Sequence, residues 1–218
     1  MQPDWLTYYY WLSDISGYSV ALPLLVGFYQ LRKKKDILLV KLVLLLAGFA
    51  ALMELASAYT YYKGLNNLWL SHLYDPVEYL ILASIFFVSF EAKGIRRGIV
   101  LSVLLLTAFS LWDSLLGEGL DQMNSYPRVL ESAFVVALGM LYFYKVFNDL
   151  RILHLDHDPM FLLSGGAILY FAGTVMAYSM FNVALAESYN MARVCLSVGY
   201  VLNIFFNLVL VQVLRKAS

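Results

Sequence analysis

Long apolar runs broken by short polar segments organise this chain from one end to the other. A helix needs roughly 17–25 apolar residues to cross the ~30 Å hydrocarbon layer of a bilayer. Seven runs of about that length can be placed, at approximately 16–32, 37–61, 76–92, 96–116, 128–147, 159–181 and 191–213. Between them lie Arg32–Asp36, Gly64–Asn67, Lys93–Gly98, Gly117–Asn124, Asn148–Pro159 and Asn182–Asn190, segments rich in charge, Gly and Asn. Ser16, Ser19 and Pro23 interrupt the first run, which makes it the weakest. Just before it, Trp5, Tyr8, Tyr9, Tyr10 and Trp11 are the amphipathic aromatics expected at headgroup level. The expected fold is all-α: one domain over 1–218, a bundle of seven transmembrane helices with no soluble domain.

Composition strengthens that reading. Of 218 residues, 61% are hydrophobic and 14% charged, with a mean hydropathy of +0.71, too little charge to cover a water-facing surface. The single cysteine, Cys195, excludes an intrachain disulfide. The first basic residue is Arg32, so no charged region of a cleavable signal peptide precedes the first span, and Met1 is expected near the mature start.

Charge placement sets an expected orientation. Arg32, Lys33, Lys34, Lys35, Lys41, Lys93, Arg96, Arg97, Lys145, Arg151, Arg215 and Lys216 fall at one set of helix ends. Only Lys63, Arg128 and Arg193 fall at the other. The positive-inside rule then puts the N-terminus outside and the C-terminus in the cytoplasm. The basic run from Arg32 to Lys35 suits anionic lipid headgroups, so membrane lipids are expected partners. With a net charge of zero, nucleic acid is not.

Acids accumulate on the opposite, outer side, where topology does not require them. Glu54, Glu78 and Glu131 lie inside or at the lip of apolar spans, where an ionisable group ordinarily pairs, faces the bundle interior and marks a site. An internal echo links two of them. Leu73-Tyr74-Asp75-Pro76-Val77-Glu78 and Tyr126-Pro127-Arg128-Val129-Leu130-Glu131 open two spans alike, and Ser188-Tyr189-Asn190-Met191-Ala192-Arg193 opens a third with arginine in place of glutamate. Duplicated helical hairpins would give this pattern. By that register Arg193 is the expected counter-charge, since a guanidinium grips carboxylates bidentately and keeps its proton. The candidate ligand-binding set is Glu54, Glu78, Glu131, Arg193, Tyr74, Tyr126, Tyr189 and Asp113, around an outward-facing polar cavity. An interhelical ion pair that only fixes packing, or carboxylates resting in the headgroup layer, would use the same residues.

Other chemistry is thinly supported. His72 and Asp75 are weak metal candidates that share a face if the segment is helical, but no His-rich zinc pattern accompanies them. The run His154-Leu155-Asp156-His157-Asp158 reads as a solvated loop. Serines within spans, Ser57, Ser84, Ser132 and Ser164, suit helix packing, as do Gly165, Gly166 and Gly173. Asn203 and Asn207, four apart, read as a stripe of interhelical hydrogen bonds. No lysine lies deep in the last span to carry a retinal Schiff base. No catalytic residues and no cofactor are expected.

The segment from Gly64 to Glu78, Asn124 to Glu131 and the run Ser164-Gly165-Gly166-Ala167-Ile168-Leu169-Tyr170-Phe171-Ala172-Gly173 together resemble small, uncharacterised bacterial seven-span membrane proteins. More loosely they resemble the seven-span sensor modules that precede histidine kinases. The resemblance implies a stand-alone sensor or accessory subunit of the bacterial inner membrane, multi-pass, and transfers no catalytic residues. Because the chain ends four residues after Leu214, a kinase would be a separate polypeptide. Alkaline-ceramidase-like seven-span hydrolases are a competing family, but their histidine pair in the last span is missing. The leading expectation is a non-enzymatic receptor for a small or amphiphilic ligand that signals to a separate partner, or to a second copy of the chain. A lipid-directed membrane enzyme with paired carboxylates and a proton-coupled transporter remain as alternatives.

Overall fold

The computed structural model describes residues 4–33, 38–148 and 155–217, without the side chains of Asp4 and Asp156. Lys34, Lys35, Arg151 and His154 therefore lie outside the described residues. All regular structure among the described residues is helical: α1 (Asp4–Ser19), α2 (Ala21–Arg32), α3 (Leu38–Tyr62), α4 (Trp69–Ser89), α5 (Lys93–Leu116), α6 (Ser125–Asn148), α7 (Pro159–Ser179), α8 (Phe181–Glu187) and α9 (Tyr189–Lys216). A short 3₁₀ turn, Leu155–His157, precedes α7.

Two of the breaks divide longer rods. Trp5–Arg32 and Pro159–Glu187 are both apolar enough to cross a membrane, as are α3, α5, α6 and α9, which makes six among the described residues. Large apolar side chains such as Leu104, Leu115 and Leu169 point outward from these helices, which suits lipid rather than water. The molecule is a multi-pass membrane protein. At 21 residues α4 is also long enough, but His72, Asp75 and Glu78 dilute its apolar character.

The first rod differs from the expected span. It begins at Asp4, so the aromatic segment before Ser16 is part of the same helical rod rather than outside the span. Its break at Val20 has a local cause: Pro23 has no N–H and its ring clashes with the carbonyl four residues earlier, that of Ser19. The Ser19 hydroxyl turns back to donate to the Ser16 carbonyl at 2.6 Å. α4 likewise starts seven residues before the expected boundary, with Pro76 inside it. Pro76 leaves the His72 carbonyl without its helical donor, and Ser110 of α5 donates to that carbonyl at 3.5 Å.

Helix ends are specified locally. Gly64, at φ +67°, closes α3 with a Schellman pair, Leu65 N–H to Thr60 and Gly64 N–H to Tyr61. Asp158 caps α7 through the Met160 N–H at 2.9 Å, with Pro159 in the first turn. Ser188 caps α9 through Met191.

α7 packs against both α6 and α9, and α9 in turn covers α1 and α2. Gly166 and Gly173 permit the α7–α9 approach, since a Cβ on them would stand 2.5 Å from Val209 and 2.7 Å from Leu202. The bundle is polarised along its axis. Its apolar core, including Val43, Phe86, Leu163, Val213 and Leu214, fills the half that holds the C-terminus. Buried polar side chains, among them Asp75, Glu78, Asn124, Arg128 and Glu131, fill the other half.

Candidate functional site

Asp75 and Glu78 are three residues apart on α4, and Arg128 and Glu131 three apart on α6, so each pair shares one helix face. The two faces meet. Arg128 Nη1 donates to Glu78 Oε2 at 2.6 Å, to Glu131 Oε2 at 2.8 Å and to Asp75 Oδ1 at 3.4 Å. All four residues are buried, with Glu131 at 0% exposure and none above 4%.

Neutral donors complete part of this network. The Tyr74 hydroxyl donates to Glu78 Oε1 at 2.9 Å, and Asn124 donates to Asp75 Oδ2 at 2.9 Å. Asn124 also reaches Ser110, the residue that serves the carbonyl freed by Pro76. Aromatic rings box the guanidinium: Phe171 lies 4.8 Å from its carbon, Tyr178 5.3 Å and Tyr170 5.7 Å. Glu131 Oε1 and Arg128 Nε are buried with no hydrogen-bond partner.

The charges do not balance, because three carboxylates meet one guanidinium. Unit charges ~4 Å apart interact by about 4 kcal/mol at an effective dielectric of ~20. Three attractions and three repulsions of similar size nearly cancel, which leaves the desolvation of four ions uncompensated. Two further positive charges, as protons or as bound cations, bring the cluster to neutrality. One oxygen from each carboxylate lies within 4.8 Å of the others, close enough to share a cation, but Arg128 Nη1 already stands among them.

Beside the cluster is a cavity of about 350 Å³, a volume in the range of small-ligand sites. Asp75 and Arg128 reach it from α4 and α6, Glu54 from α3, Tyr178 from α7, and Tyr200 from α9. Its far wall is the broken rod, at Ser16, Gly17 and Val20. Two glycines shape it. A Cβ on Gly17 would come within 2.8 Å of Glu54 Oε1, and one on Gly199 would collide with the Tyr178 hydroxyl. Glu54 has neither an ion-pair nor a hydrogen-bond partner among the described residues.

The expected residues therefore separate. Glu78, Glu131 and Tyr74 belong to the arginine cluster, and Glu54 belongs to the cavity. Arg193 is not the counter-charge: it bonds Asn190 at 3.1 Å and lies over the Tyr9 ring at 5.8 Å, turned toward α1. Tyr126 and Tyr189 are exposed, at 63% and 75%. Asp113, fully buried, points past the end of α5, where its carboxylate accepts from the Glu118 N–H at 3.5 Å. His72 turns to Ser114 at 2.8 Å and to the Gln122 carbonyl at 3.1 Å rather than toward a carboxylate. Asp158 of the histidine-containing loop caps α7 and accepts from Tyr142 at 2.7 Å. Asn203 and Asn207 donate to Ser16 and Ser19 of α1 at 2.9 and 2.8 Å.

Arg128, in sequence one of three outer-side cations, is the counter-charge of the cluster. The signal lay in its spacing, three positions before Glu131 in the same helix, and the hairpin echo drew attention to Arg193 instead. Tyr170, Tyr178 and Asn124 carried no comparable signal. No protein-family model, curated protein or solved structure matches the chain.

Proposed function

We propose that the protein is a membrane receptor that binds a small or amphiphilic ligand in this cavity and relays a helix shift to a separate partner or a second copy. The observation that carries the reading is the cavity's construction: helices from the beginning, middle and end of the chain each place a side chain on it. A ligand that fits one packing of these helices better than another shifts the equilibrium between them. Its walls combine carboxylates, a guanidinium and tyrosine hydroxyls with apolar surface, the mixture a specific ligand site needs.

In this reading α4 is the seventh span, the N-terminus faces outward and the membrane is the bacterial inner membrane. Lys93, Arg96 and Lys145 then lie on the cytoplasmic side, where Arg96 and Lys145 donate to the Phe90 and Ser89 carbonyls at the end of α4. The cavity opens from the outer half, and the apolar core closes the inner half.

The transporter reading keeps one supporting observation, the break between α1 and α2 that forms part of the cavity wall. Site-directed labelling separates the two. With Cys195→Ser removing the native thiol, Ala50→Cys places a thiol on the cavity wall. A receptor predicts modification by a membrane-impermeant methanethiosulfonate from the outer side alone. Modification from both sides supports transport. No modification from either side, while a Tyr62→Cys control at an exposed position reacts, overturns both.

A further inference from the structure

The ligand class can be read from what the cavity leaves uncompensated. Arg128 is the positive group on its wall, and that charge is already shared among Asp75, Glu78 and Glu131. Glu131 Oε1 and Arg128 Nε are both buried and unpaired, so it is the charge balance, three carboxylates to one guanidinium, that leaves the cluster short of positive charge. Glu54 of α3, an exposed side chain that also lines the cavity, offers a carboxylate with no partner among the described residues. An anion entering here would meet a guanidinium outnumbered by three carboxylates, and a fourth carboxylate, Glu54, in the same cavity lining. A cation would meet complementary charge from two lining carboxylates, Glu54 and Asp75.

The remaining surface narrows the kind of cation. Tyr74, Tyr170, Tyr178 and Tyr200 line the cavity, with Met53 and Phe181. Aromatic faces attract organic cations. Tyr170 and Tyr178 already do so within the molecule, standing 5.7 and 5.3 Å from the Arg128 guanidinium carbon. A metal ion needs several oxygens converging on one point. The place where three carboxylates do converge is occupied by Arg128 Nη1, and of the carboxylates the cavity lining holds only Glu54 and Asp75.

We propose that the cavity binds an organic monocation, an ammonium group on an aromatic or apolar body, with the ammonium between Glu54 and Asp75 and the body against the tyrosine wall. This deepens the receptor reading and rests on it.

The test uses the full chain in nanodiscs of zwitterionic lipid, with empty discs subtracted. Three probes of similar shape are compared by equilibrium dialysis: 2-phenylethylamine, 2-phenylethanol and 3-phenylpropionate. Saturable binding of the amine is expected, at least ~10-fold tighter than the alcohol, with no measurable binding of the acid. Glu54→Gln should weaken the amine about ten-fold and leave the alcohol unchanged, while Glu54→Asp, which keeps the charge, retains most of the affinity. Thermal unfolding of each variant confirms that the fold is intact. If alcohol or acid binds as tightly as the amine, or if Glu54→Gln leaves the amine unaffected, the cation assignment falls and a ligand cavity survives. If no probe binds saturably, the cation assignment falls, and labelling at Ala50→Cys decides the receptor reading separately.

Discussion

At the scale of single residues, the arginine cluster is an unequal structure, and the inequality has a sign that can be measured. Removing Arg128 leaves three buried carboxylates facing one another. Breaking a buried ion pair by deleting one partner typically costs about 3–5 kcal/mol, so Arg128→Gln should lower the unfolding temperature sharply or prevent folding. Removing one carboxylate does the reverse to the charge balance. Glu131→Gln keeps the shape, keeps an oxygen for Arg128 Nη1 and removes one surplus negative charge. The account expects it to be neutral or stabilising in a thermal unfolding assay at neutral pH. Equal destabilisation by both variants would show that the cluster is not short of positive charge. Spacing within one helix made half of this group legible, since Asp75 with Glu78 and Arg128 with Glu131 each sit three apart. What spacing cannot supply is which helix faces which. Arg193 and Arg128 are chemically equivalent candidates in the sequence, and only the packing of α6 against α4 distinguishes them.

At the scale of elements, the prolines do more than punctuate. Pro76 sits inside α4 because a neighbour replaces the donor it lacks, and Ser110 of α5 is that neighbour. A double-mutant cycle tests this coupling. Ser110→Ala should cost about 1 kcal/mol in the native background, the net value of a typical buried hydrogen bond. It should cost measurably less beside Pro76→Ala, which restores an N–H for the His72 carbonyl. Strict additivity in denaturant unfolding would mean that the two positions act independently. Helix boundaries were legible wherever a cap is encoded locally, as at Gly64 and Asp158. They were misread at Pro76 and before Ser16, where hydropathy falls although the backbone stays helical. There the compensation comes from another helix, or from aromatic residues that suit helix and headgroup layer equally well.

At the scale of the whole molecule, the two halves of the bundle divide the labour. The half nearer the C-terminus is apolar and closely packed, and the half nearer the N-terminus holds the carboxylates, the guanidinium and the cavity. Bundle architecture and the membrane setting were plain in the alternation of apolar runs. The gathering of acids at one end was also visible, as an excess that topology left unexplained. The cavity was not, because it depends on contacts among Gly17, Glu54, Tyr178 and Gly199, which come from four helices distant in sequence. The central claim is that this cavity takes an organic cation from the outer side. It is tested most directly by the modification rate of Ala50→Cys, in the Cys195→Ser background, with and without 2-phenylethylamine. The account predicts that the amine slows outer-side labelling about ten-fold at ~10 times its Kd, and that 3-phenylpropionate at the same concentration leaves the rate unchanged. A rate unaffected by the amine, or slowed equally by both compounds, would contradict it.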